Sequence, residues 1–125
     1  MTIFLKIVYK LIILMLLTAV TYSVNADVQL PNGNDWIKSS EREHFAYILG
    51  VSNVLSVGYI SDEMKLPGNK NTFTHRAVEG LEGTSVEEAV SRINSWYSTH
   101  PEQLDTPIFK VLWEQIGKPR LAKSK

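Results

Sequence analysis

Ser40–Ile60, SEREHFAYILGVSNVLSVGYI, decides how this chain is read. From Phe45 to Ile60 it holds no charged residue, although 21% of the chain is charged. Ser40 and Glu43 fit a capping box, in which hydroxyl and carboxylate each satisfy an orphan amide of the first helical turn. Glu41 and Glu43 place negative charge where a helix dipole favours it. On a 3.6-residue wheel Phe45, Ile48, Leu49, Leu55 and Tyr59 share one face, and Tyr47, Val51, Val54 and Val57 cover the opposite side. A helix apolar nearly all round is expected in a core. Its twenty-one residues would run about 30 Å. The expected fold is therefore all-α, a small bundle of three to five helices around this central apolar helix.

Two rival readings of the stretch are weaker. A membrane span needs roughly 20 apolar residues, and this run is interrupted by Gly50, Ser52, Asn53, Ser56 and Gly58. Strands would need an alternating pattern, which is absent. Ala46 and Gly50 are four apart, so a second helix is expected to approach there. On that reading Gly50→Leu should destabilise by roughly 1–3 kcal/mol through overpacking.

Residues 1–26 read as a secretory signal. Lys6 and Lys10 form the positive start, Leu11–Leu17 the apolar run, and Val24-Asn25-Ala26 the small-residue cleavage site. The fourteen residues between Lys10 and Asn25 are short for a span, so no stable membrane anchor is expected. Residues 27–125 then form one domain, exported to a bacterial periplasm. Removing Lys6 and Lys10 from the thirteen basic residues leaves eleven against thirteen acidic ones, a net charge of −2. Nothing in that balance marks a nucleic-acid or anionic-membrane binder. The absence of cysteine removes disulfides, thiolate metal sites and cysteine nucleophiles.

Further along, residues 61–84 make a long connection with a turn at Pro67-Gly68-Asn69. Thr72–Glu79 inside it reads as a short helix or a strand. Thr84 with Glu87, or Ser85 with Glu88, caps the next helix. Its apolar face is Val86, Ala89, Val90, Ile93, Trp96 and Tyr97, and His100-Pro101 ends it. A last helix starts near Thr106-Pro107 and buries Ile108, Phe109, Leu112, Trp113 and Ile116. Gly117 is expected to close it, Pro119 to prevent continuation, and Arg120–Lys125 to fray.

No catalytic set emerges. His44, His75 and His100 have no metal-ligand spacing, so neither a metal nor another cofactor is expected. His44 reads as a first-turn helix residue, and His75-Arg76 as a solvated loop pair. The serines sit at caps and on helix faces, without a nucleophile elbow. Glu79, Glu82, Glu87 and Glu88 form an acidic run, but helix-start acidity accounts for the last two. No enzyme activity is therefore expected from these residues.

Three segments carry a resemblance. Ala46-Tyr47-Ile48-Leu49-Gly50-Val51 resembles a G-Y-(V/I)-x-G-V core. Gly83-Thr84-Ser85 is similar to a G-V-(T/S) helix start. Trp96-Tyr97-Ser98-Thr99-His100-Pro101-Glu102-Gln103-Leu104 is similar to a Y-L-x-x-H-P-E-x-L segment. All three belong to the exported Tai-type amidase-immunity proteins, which protect bacteria against type VI secretion toxins. The resemblance spans residues 40–120, and this chain lacks that family's usual cysteines and the proline before its helix-start turn. It implies an all-helical periplasmic protein, often a homodimer, that binds a peptidoglycan amidase effector and blocks its cleft. The exposed 61–84 connection is then the expected contact region, with Phe73, His75 and Arg76 as anchors. The alternative reading is a periplasmic small-ligand or stress-related binding protein.

Overall fold

Capping chemistry sets the helix starts. The computed structural model describes residues 2–8, 10 and 29–123. Residues 2–8 are helical with exposed side chains. The signal-peptide reading of 1–26 otherwise lies outside the described residues. Asn32 and Asp35 form a capping box for α1 (Gly33–Lys38). Ser40 and Glu43 form the expected one for α2 (Glu41–Lys65), the Ser40 amide meeting the carboxylate at 2.6 Å. Bonds from the Ser40 amide and hydroxyl hold the Glu43 carboxyl below its ordinary pKa. The Thr72 hydroxyl accepts from the His75 amide and starts α3 (Phe73–Leu81), so this part of the long connection is helix. Ser85, accepting from the Glu88 amide, starts α4 (Val86–Thr99).

After a 3₁₀ turn at Pro101–Gln103, α5 (Ile108–Leu112) runs through a π turn (Trp113–Gly117) into α6 (Lys118–Lys123). The chain does not stop at Gly117, as the sequence had suggested. Pro119 has no amide to give the Gln115 carbonyl, and Arg92 Nη1 donates to that oxygen instead, at 3.4 Å. The π turn re-spaces the ladder, the Lys118 amide bonding Trp113 O. Arg120 is tied down too, donating to the Glu82 carbonyl at 2.5 Å and lying 3.6 Å from Glu88.

The all-α bundle is present. With α5, the π turn and α6 counted as one continuous rod, residues 29–123 form five rods and no strand. Their core joins Trp36 of α1, Ile48 of α2, Ala89, Val90, Ile93 and Tyr97 of α4, and Ile108, Val111, Leu112 and Ile116 of the terminal rod. The centre is thus α4 against that rod. α2 is long and apolar but only half covered. Ile48 and Leu55 are buried, whereas Leu49, Val54, Val57, Ile60 and Met64 are between 52% and 79% exposed. The reason is geometric: α3 and α4 pack on one side of α2, and no described element reaches the other. Among the described residues no helix is long and apolar enough to cross a membrane.

Gly50 corrects the overpacking expectation. A Cβ there would meet nothing within 4 Å. Gly50→Ala should therefore stabilise by about 0.5–1 kcal/mol, the helix-propensity difference alone. A urea midpoint at or below that of the parent would contradict the open surface.

Tyr97, in the core, donates its hydroxyl to Thr106 O at 2.7 Å. Burial, with Tyr47 and Asp35 nearby, pushes its pKa up to about 12, from an ordinary value of 10.0. The unfolded chain therefore loses this proton before the native state does. Stability from this group is intact below pH 10 and disappears as pH climbs towards 12. Urea denaturation at about pH 9 and about pH 11.5 should show that fall, and Tyr97→Phe should make it smaller. An identical fall in the variant would assign the effect elsewhere.

Candidate functional site

The expected contact residues lie on α3 but do not converge. At 100° per residue, Phe73 and Arg76 sit about 60° apart on one side of the helix, and His75 sits on another. Phe73 is 58% exposed, with its ring 5.9 Å from Phe109 and 6.2 Å from Trp113. Arg76 is exposed and lines a groove of about 580 Å³ with Lys70, Asn71, Glu79 and Lys118. His75 is not the solvated loop residue expected. It is 8% exposed, its ring 4.4 Å from that of Tyr59 and its Nδ1 3.4 Å from Glu63 Oε1. The Thr72 cap fixes the register of α3, and that register turns His75 towards α2. Phe73 and Arg76 are thereby left as the surface pair.

α2 and α3 are joined by polar contacts beside His75. Thr74 Oγ1 donates to Asp62 Oδ2. Bonds from Thr74 and Thr72, with Lys65 and His75 nearby, hold the Asp62 carboxyl below its ordinary pKa. Next to this joint the two helices enclose a cleft of about 560 Å³. Ser52, Leu55, Ser56 and Tyr59 line it from α2, and His75, Val78 and Glu79 line it from α3. The sequence reading missed the α2 half. Its signal was present: Ser52, Ser56 and Tyr59 recur at four and three spacing inside an apolar run. Ser56 Oγ donates to Ser52 O at 2.8 Å, so its proton is held by its own helix. The cleft offers recognition groups, and no ligand-rich cluster suited to a metal occurs among the described residues.

The other two histidines fasten the fold. His44 stacks on Trp36, centroids 3.8 Å apart, and its Nε2 bonds Trp36 O at 2.7 Å. It thereby ties α1 to α2, a role beyond the first-turn position read from sequence. His100 stacks on Trp96 at 4.5 Å and its Nδ1 bonds Trp96 O at 2.8 Å, closing α4 at the His-Pro-Glu step.

The second candidate surface is the uncovered stripe of α2. Leu49, Val54, Val57, Ile60 and Met64 fall within about 140° of one another on the wheel, with Ala46 and Gly50 among them. All five larger residues are more than half exposed, so the stripe is a contiguous apolar surface. Compared with known proteins, the chain matches no family model, no curated protein and no solved structure.

Proposed function

We propose that this chain is an exported immunity-type protein that binds and inhibits a peptidoglycan amidase effector in the periplasm. The resemblance over residues 40–120 supplies the partner class. The observation that carries a binding role is the uncovered apolar stripe of α2, a contiguous row of exposed apolar residues of the kind that contact surfaces use. Phe73 and Arg76, side by side on α3, are the aromatic and arginine anchors that interfaces favour. His75 acts behind them, at the α2–α3 joint.

The direct experiment is co-purification with a peptidoglycan amidase effector, with survival of cells that export the amidase as the second readout. Capture and protection support the reading. An amidase that stays active and unbound at micromolar concentrations of this protein removes it.

In the same proposal a second copy covers the α2 stripe, making a homodimer, and Phe73 and Arg76 are the surface left for the amidase. An antiparallel crossing centred between Asn53 and Val57 sets Ala46 against Met64 of the second copy. It also brings the acidic first turn, Glu41 and Glu43, near Lys65 of that copy. Val57→Lys should yield a monomer in sedimentation equilibrium, with unchanged helical circular dichroism. A parent protein that is already monomeric at tens of micromolar would exclude this contact.

A further inference from the structure

Residues 27–125 carry eleven basic and thirteen acidic side chains. Against that balance, the groove between α3 and α6 gathers Lys70, Arg76 and Lys118 around one carboxylate, Glu79. Asn71 adds further donors, and Leu121 and Ala122 give the groove an apolar side. Among the described residues Lys70 and Arg76 form no ion pair, and Glu79 pairs with none of the three cations. Lys118 Nζ lies 3.1 Å from Glu114, which takes one of its three donors and leaves two. The positive charge of the groove is therefore largely unspent within the fold.

The walls that carry these charges are fixed against each other. Gly80 of α3 sits on the Gly117 backbone, where an added Cβ would lie 2.7 Å from Gly117 O. Glu79 and Lys118 each stand one residue from that contact. Each wall also sets an aromatic residue one turn before its cation. Phe73 precedes Arg76 on α3, and Trp113 precedes Lys118, whose amide bonds Trp113 O. The two rings lie 6.2 Å apart, and Phe73 is exposed. Cations on a fixed frame beside aromatic surface suit a carboxylate that arrives next to an apolar side chain. The Arg76 guanidinium is a planar fork that can grip a carboxylate by two bonds, and the lysines add point charges. A nucleic-acid backbone or an anionic membrane needs a broader positive face, and Glu79 and Glu114 interrupt this one.

We propose that this groove receives a short acidic segment of the partner protein, its carboxylates on Lys70, Arg76 and Lys118 and a neighbouring apolar side chain against Phe73. The inference rests on the reading of Phe73 and Arg76 as the surface left for the amidase. It assigns the charge of the incoming segment, which that reading leaves open. Exposed ion pairs are individually weak, so the groove steers and orients the partner more than it holds it.

The test is a titration of the ¹⁵N-labelled protein with the peptide N-acetyl-Glu-Glu-Leu-Glu amide, followed by amide chemical shifts at low ionic strength. The amides of Asn71, Phe73, Arg76, Glu79, Lys118 and Ala122 should move together and saturate. The same peptide with glutamine in place of each glutamate should leave them still, and exchanging its leucine for glycine should weaken binding. The double variant Lys70→Gln/Arg76→Gln, altered only at exposed positions, should keep its spectrum elsewhere and lose about tenfold in affinity. No movement at about 20 mM probe, an equal response to the glutamine peptide, or binding indifferent to the double variant overturns the assignment. Inorganic phosphate that moves the same amides as strongly as the acidic peptide also overturns it, by showing a general anion site only. Amidase capture without a probe response removes the groove assignment and leaves the inhibitor reading. A probe response without capture does the reverse.

Discussion

Gly80→Val is expected to lower the unfolding free energy by about 3 kcal/mol. Gly80 is buried in α3 where it crosses the terminal rod. A Cβ built there would lie 2.7 Å from Gly117 O and 3.0 Å from Gly117 C and Cα. All three are backbone atoms, so no rotamer change relieves the clash. The rod cannot yield locally either, since its π turn is held by the bond from the Lys118 amide to Trp113 O. Gly117 is itself pinned: a Cβ there would meet the Trp113 ring at 2.5 Å. α3 would have to back away and uncover Ala77, which is 0% exposed. Gly80→Ala should cost less, because alanine recovers about 1 kcal/mol of helix propensity. The contrast with Gly50 is the sharpest check: one residue type in two helix interiors, with opposite expected signs. Urea denaturation followed by circular dichroism reads both. A Gly80→Val protein as stable as its parent would mean that α3 and the terminal rod do not touch this closely.

Trp36→Ala should cost about 4 kcal/mol. Trp36 is 2% exposed and joins three elements. Its Nε1 donates to Asn94 Oδ1 of α4 at 2.7 Å. Its face carries the His44 ring of α2, nearly parallel at 5°, and Tyr47 meets its edge at 6.3 Å. Removing the indole leaves a cavity beneath α1 and strips His44 of its stacking partner. Trp36→Phe keeps most of the volume and loses the Asn94 bond, so about 1–2 kcal/mol is expected. Thermal and urea unfolding of the two variants give the comparison. A loss below about 1 kcal/mol for alanine would show that α1 is an appendage and not part of the core.

Much of the architecture was legible because it depends on neighbours in the chain. The Ser40–Glu43 box and the Ser85 cap are both local. The buried face of α4 was legible because its apolar residues contrast with polar ones every turn. α2 has no such contrast. An apolar residue every turn on every side says that the helix is apolar and does not say which side is covered. That is why Leu49, Val54 and Val57 read as core and lie in solvent. The candidate site was half legible. His75 and Arg76 drew attention as a pair, yet adjacent residues on a helix point about 100° apart, so one went inward and one outward. Tyr59 and Ser56 went unread because they become a site only when α3 lies across them.

The sequence by itself determined α2 and α4 with their starts, the beginning of the terminal rod and the all-α class, because capping, propensity and periodicity act within a few residues; it left Thr72–Glu79 open between helix and strand and did not show α1. The tertiary structure alone decided the rest. It chose which side of α2 stays bare, and it brought Arg92 to the Gln115 carbonyl beside Pro119, where the rod runs on to Lys123. It also pressed Gly80 against Gly117 and turned His75 into the α2–α3 cleft. Each of these depends on groups far apart in the chain meeting within a few ångströms, and no local rule carries that distance.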